Sequence, residues 1–156
     1  VGAVIFAVGC GSGLLVGWFA GMANSFSDML SDMDFDAKVI VEAAAPDVVI
    51  ADEPFSVTVT VTDTSGIDRI LHEIDFMGTL ADNAQFANIH PVPTSIVPYP
   101  GYKEFYFEEP LQANQSAQFS FEITPAQAGI YNADITVYME DFNSESTEIS
   151  ITVAPN

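Results

Sequence analysis

The hydrophobic pattern of this 156-residue chain changes character twice. Residues 1–27 contain no charged side chain, and Val1 to Ala23 is a continuous run of apolar or small residues. As a helix that run would measure about 34 Å, enough to cross a hydrocarbon core with a little tilt. Gly9, Gly13, Gly17 and Gly21 recur at every fourth position within it. On a helix this spacing lays the glycines on one narrow stripe, where a second helix can approach backbone to backbone. Trp18 and Phe19 lie near the far end, where aromatic rings favour the membrane interface. The pattern predicts a transmembrane helix, or a helix buried in the core of an assembly, over residues 1–23.

The second segment, 24–37, is polar and acidic. Asn24, Ser25 and Ser27 are followed by Asp28, Asp32, Asp34 and Asp36, while Phe26, Met29, Leu30 and Met33 sit three or four apart. That spacing predicts an amphipathic stalk continuing the helix. No cation precedes Lys38, so the flank lacks the Lys and Arg excess of a cytoplasmic loop. The C-terminal part is therefore expected on the periplasmic or extracellular side.

From residue 38 onward the period becomes two. Val39 and Val41 alternate, and Val48 and Ile50 precede a turn at Asp52-Glu53-Pro54. Phe55 to Val61 is the strongest predicted strand, with Phe55, Val57, Val59 and Val61 inward and hydroxyls outward. After the turn Thr64-Ser65-Gly66, the residues Ile67, Ile70, Leu71, Ile74 and Phe76 form a strand whose alternation slips near Leu71, the mark of a bulge. The stretch 78–101 reads as irregular, because Pro91, Pro93, Pro98 and Pro100 exclude a central strand. Tyr102–Phe107 and Ala117–Ile123 follow, split by the turn-prone residues from Glu109-Pro110 to Asn114-Gln115. Ile130–Met139 and Ser146–Val153 close the pattern as a hairpin. Seven or so strands at this spacing predict an antiparallel β-sandwich over 38–156, making the chain mainly β.

Charge narrows the partners. Lys38, Arg69 and Lys103 oppose 22 Asp and Glu, for a net charge of −19. Such a surface repels nucleic acid and anionic headgroups. With 49% of residues hydrophobic, disorder is disfavoured. Cys10 is the only cysteine, so no disulfide holds the β-domain. Ala7-Val8-Gly9-Cys10 loosely resembles a lipoprotein cleavage box, but Leu14, Leu15, Val16, Trp18, Phe19 and Met22 continue the apolar run beyond it. Cys10 is better read as a small buried helix residue than as a lipidated one. The start at Val1 rather than methionine suggests processing or an omitted leader.

The run Pro125-Ala-Gln-Ala-Gly129-Ile-Tyr131, followed by Ala133, Ile135 and Val137, resembles the corner before the penultimate strand of immunoglobulin-like sandwiches. There a tyrosine just after a glycine hydrogen-bonds back across the turn, the role that Tyr131 matches. The segment Asp52 to Thr64 is similar to an early strand of the CARDB and fibronectin-III-like domains of prokaryotic cell surfaces. The resemblance covers about residues 38–154 and departs from antibody domains in lacking core cysteines and a core tryptophan. It implies an immunoglobulin-like extracytoplasmic binding or spacer module without catalytic residues.

The sequence carries few constellations of catalytic or ligating residues. His72-Glu73-Ile74-Asp75 mixes ligand types but lacks the second histidine of a metalloprotease helix. On a strand, alternation sets His72 and Ile74 on one face and Glu73 and Asp75 on the other. His90, before Pro91, is expected in an exposed loop. Asp32, Asp34 and Asp36 open like a calcium loop, yet Ala37 and Ala43 occupy the positions that need glycine and glutamate. Asn114-Gln115-Ser116 fits a glycosylation acceptor in a turn. No nucleophile elbow or phosphate-binding glycine loop is present, so neither an enzyme nor a cofactor is expected. Among the aromatics at 99–107, Phe105 and Phe107 are predicted core. Tyr99, Tyr102 and Tyr106 are the candidates for protein contact.

These features predict a non-enzymatic, single-pass, membrane-anchored accessory or structural subunit. Its partners would be membrane lipid and other transmembrane helices, or copies of itself, gripped along the glycine stripe. The alternative is an extracellular filament subunit resembling archaellins and type IV pilins, with N-terminal helices bundled in the filament core. Ile5 departs from bacterial pilins, which carry glutamate at that position. A solute-binding module using the loop 78–101 is a third class, although few polar groups there suggest a pocket.

Overall fold

A computed structural model of the chain describes residues 38–140 and 143–156. The predicted helix of 1–23 with Gly9, Gly13, Gly17 and Gly21, Cys10, the stalk of 24–37 and Asp32, Asp34 and Asp36 lie outside the described residues. Among the described residues, no helix is long and apolar enough to cross a membrane.

The strands are β1 (Val39–Ala44), β2 (Val48–Ile50), β3 (Phe55–Asp63), β4 (Arg69–Met77), β5 (Ala84–His90), β6 (Ser95–Tyr99), β7 (Tyr102–Leu111), β8 (Ser116–Pro125), β9 (Gly129–Met139) and β10 (Ser144–Ala154). One short helix, α1 (Thr79–Asn83), links β4 to β5. They form a four-stranded sheet in the order β1–β3–β8–β5 and a six-stranded sheet in the order β2–β10–β9–β4–β7–β6. Neighbours run antiparallel except β2, which lies parallel to β10.

Alternation decides which side chains meet between the sheets. Val57, Val59 and Val61 of β3 are fully buried, facing Phe105 and Phe107 of β7 and Ile135 and Val137 of β9 across the core. Each such side chain contributes about 1.5–3 kcal/mol of burial free energy. Six phenylalanines join the two sheets. Phe76 meets Phe86, Phe105 and Phe121 edge-on, with centroids 5.1, 5.8 and 4.8 Å away. Phe107 meets Phe119 at 5.0 Å. Such edge-to-face contacts add to the burial itself.

The structure corrects several expectations. There are ten strands rather than about seven, because the proline-rich middle is not irregular throughout. It folds as α1, β5 and β6, and both strands are sheet edges, where proline is tolerated. β7 runs through Pro110 to Leu111 instead of turning at Glu109-Pro110. β6 pairs only with Tyr102–Tyr106, so the far side of β7 needs no N–H donor at Pro110. Ile67 precedes β4 and is exposed, and in β2 it is Val49 that is buried, with Val48 and Ile50 outward. The bulge lies between Leu71 and Glu73. The joint into α1 depends on Gly78, at φ 115°, where a Cβ would lie 2.7 Å from the Asn132 carbonyl oxygen.

The corner before β9 closes as an internal brace. Tyr131 is buried and its hydroxyl donates to the Gln127 carbonyl oxygen at 2.8 Å. Tyr131→Phe removes that bond alone, and chemical denaturation should show a loss of about 1 kcal/mol.

Candidate protein-contact face

The outer face of the six-stranded sheet carries the candidate site. β4 places Glu73 and Asp75 outward, β7 places Tyr102, Glu104 and Tyr106, β6 contributes Tyr99, and β9 contributes Asp134 and Tyr138. Register makes them neighbours. Asp75 lies opposite Glu104 and Thr136, Glu73 opposite Tyr106 and Tyr138, and Tyr99 opposite Tyr102. Tyr99, Tyr102 and Tyr106 thus share one surface, and the fold adds Tyr138 to them.

Hydrogen bonds tie phenols to carboxylates. Tyr102 donates to Asp75 Oδ2 and Tyr106 to Glu104 Oε2, both at 2.8 Å. Tyr99, half exposed, stacks on Tyr102 with centroids 5.6 Å apart and planes at 23°. The bulge alters the expected arrangement at His72. Rather than sharing the inner face with Ile74, His72 is exposed and meets the Tyr106 ring edge-on at 5.8 Å. Among the described residues, no group of three or more His, Cys, Asp and Glu is arranged to hold a metal ion.

The centre of the face is Asp75, which is 1% exposed. Its Oδ1 is buried without a hydrogen-bond partner. Burial pushes its carboxyl up to about 8, helped by a proton-sharing contact and charge repulsion from Glu73 and by the charge of Glu104, with the Tyr102 hydrogen bond opposing. The same negative field reaches the phenols. Tyr102 is pushed up by burial, by its bond to Asp75 and by the nearby Glu104 carboxylate, Tyr106 by its bond to Glu104 and by burial, and Tyr138 by burial and the three carboxylates.

The other candidates fall elsewhere. Tyr131 braces its corner, away from solvent. His90 ends β5, exposed, and Asn114 lies exposed in the β7–β8 turn. A cleft of about 550 Å³ lined by His90, Pro91, Glu109, Gln112 and Gln115, among others, contains no buried polar side chain. Asp75 as the centre, and Glu104 and Tyr138 as its surroundings, were not singled out from the sequence. Their signal was the alternation of Tyr102, Glu104 and Tyr106, which marks a face without revealing its neighbours.

No family model matches the chain, and no curated protein matches it. Solved structures do. The CARDB domain of a Pyrococcus furiosus protein, in complex with di-metal ions, is 20% identical over 74% of this chain and 87% of that one, with a TM-score of 0.51. A cohesin module of a family 33 glycoside hydrolase from Clostridium perfringens is 11% identical over 76% and 99%, with a TM-score of 0.52. A conjugative transposon lipoprotein from Bacteroides eggerthii is 14% identical over 74% and 98%, with a TM-score of 0.54. At these identities the likeness establishes the fold. The described domain has an immunoglobulin-like β-sandwich fold, which it shares with that CARDB domain.

Proposed function

We propose that this chain is a non-enzymatic, membrane-anchored accessory or structural subunit whose acidic β-sandwich makes protein–protein contacts outside the cytoplasm. The observation that carries the reading is the gathering of Tyr99, Tyr102, Tyr106 and Tyr138 around Glu73, Asp75 and Glu104 on one exposed sheet face. Tyrosines supply large contact area at low entropic cost and are enriched in interface centres. The glycine stripe of residues 9–21 supports lateral packing of the anchor.

The test is co-purification after mild detergent extraction of the full chain. Tyr99→Ala with Tyr106→Ala should reduce recovery of the partner on the β-domain by about 30-fold, the effect of losing interface anchors worth about 2 kcal/mol. Gly13→Leu with Gly17→Leu should instead dissociate the assembly on blue-native gels while leaving the tyrosine face competent. Retention of the complex by both double variants would defeat the reading. Filaments containing this chain, seen by electron microscopy of sheared cells, would favour the archaellin-like or pilin-like alternative.

A further inference from the structure

We propose that the trio Glu73, Asp75 and Glu104, walled by Tyr102, Tyr106 and Tyr138, is a receptor for a single cationic side chain, an arginine or lysine of a basic partner protein. The proposal rests on the reading of this face as a protein-contact surface and names the chemistry of what docks there.

Three observations converge on it. Asp75 is buried in the middle of the face with Oδ1 unpartnered, a polar atom left short of a donor. Glu104 lies directly opposite it and Glu73 two residues before it on the same face, so like charges crowd a place where they repel. None of the three cations of the chain relieves them. Arg69 and Lys103 alternate onto the inner face, opposite Leu111 and Phe76, and Lys38 precedes β1 in the other sheet. Lys103 is occupied there, donating to the Ala81 carbonyl and lying 5.1 Å over the Phe86 ring.

The walls select the kind of cation. A hard divalent ion needs six or more converging oxygens, and no metal-holding group exists among the described residues. Phenol rings beside carboxylates suit a guanidinium or ammonium group, which takes the ring faces by cation–π attraction and the carboxylates by hydrogen bonds. Glu73 and Glu104 are half-buried and reachable, and Asp75 lies beneath them as the third carboxyl.

Docking is then linked to a proton. The groups facing Asp75 are Glu73 and His72 on its own strand, Tyr102, Glu104 and Tyr106 on β7, Asp134 and Tyr138 on β9, and Tyr99 beyond on β6. In the free domain burial keeps the Asp75 carboxyl protonated up to about pH 8. A cation seated above Asp75 favours its deprotonated form, so binding releases that proton and tightens as pH rises from 6 to 9.

The experiment uses the full chain in mild detergent, carbon-13 labelled at tyrosine, with an arginine nonapeptide as probe. Its five tyrosines include Tyr131, a built-in control at the corner. Saturable shifts of the Tyr102, Tyr106 and Tyr138 rings with Tyr131 unmoved are expected. Glu73→Gln with Glu104→Gln should weaken binding at least about tenfold. Asp75→Asn, isosteric with the protonated form, should abolish the proton release measured from the buffer dependence of the binding heat.

Unsaturable shifts spread over all five rings, or unchanged affinity in the Glu73→Gln, Glu104→Gln variant, would overturn the proposal. So would calcium displacing the peptide and shifting the same three rings, which would make this a metal site. If the peptide fails while Tyr99→Ala with Tyr106→Ala still loses the co-purified partner, the contact face stands and only the cation receptor falls.

Discussion

Phe76→Ala should lower the free energy of unfolding by about 3–5 kcal/mol, the largest loss expected from any single truncation in the domain. Phe76 is fully buried on β4, near the centre of the six-stranded sheet. Its ring touches Phe105 of its own sheet and Phe86 and Phe121 of the opposite one. Removing it forfeits the burial of a large side chain and leaves a void between two sheets whose hydrogen-bonded ladders keep each backbone stiff. Neighbouring rings cannot collapse into the gap without breaking register. Phe86, on edge strand β5 and only half-buried, should lose appreciably less when truncated. Urea denaturation checks this through a lowered midpoint at unchanged slope. A loss under about 1 kcal/mol would show that the two sheets do not meet through this ring.

Asp63→Asn is the second large effect, and it depends on pH. Asp63 ends β3 and is 2% exposed. Its Oδ1 accepts from the Ser65 hydroxyl at 2.6 Å and the Ser65 N–H at 3.2 Å, and its Oδ2 accepts from the N–H groups of Gly66 at 3.0 Å and Asn114 at 2.9 Å. One carboxylate thus knots the β3–β4 turn to the β7–β8 turn. Burial alone would raise its pKa, but these four bonds outweigh burial and hold it at about 2, below the ordinary 3.8. A depressed carboxylate stabilises the fold above its unfolded value and loses that contribution as pH falls through the folded one. The gap corresponds to about 2 kcal/mol at neutral pH. The variant should therefore trail the native chain by about that amount at pH 7, with the difference shrinking between pH 4 and pH 2. A difference independent of pH would mean that the lost geometry, not the charge, accounts for the effect.

Asp75 has the opposite sign. Its raised carboxyl contributes most below the unfolded value near 4, and the contribution is lost as pH rises toward about 8. The two buried aspartates therefore divide the roles of structure and surface. Asp63 is satisfied on both oxygens and belongs to the scaffold, whereas Asp75 keeps one oxygen short of a donor on the face proposed for contact. Asp63 lay next to the predicted turn Thr64-Ser65-Gly66, where a short acidic side chain is expected to cap local N–H groups. Its bond to Asn114, 51 residues away, belongs to no local rule.

Much of the architecture was legible because burial imposes a period. β3, β8, β9 and β10 are close to their predicted extents, since each buries alternate side chains along its length. The slip at Leu71 marked a real bulge, and Phe105 and Phe107 are core. The stretch 78–101 was misread as irregular throughout because edge strands bury little and tolerate proline, which erases the alternating signal. His72 was placed on the wrong face for a related reason. An inserted residue inverts the alternation beyond it, and the sequence marks the slip without saying which residue is extra.

From the amino-acid order alone came the sandwich class, the acidity of the surface, the tyrosine at the corner and the three tyrosines now found on β6 and β7, because these depend on local period and composition. Only tertiary structure decided that β4 lies between β7 and β9, and that choice set Asp75 and Glu73 among Tyr102, Tyr106, Tyr138 and Glu104. Strand alternation says which side chains share a face. Which strands lie side by side is decided by how two sheets bury a common core, a contest among contacts distant in sequence that no local window contains.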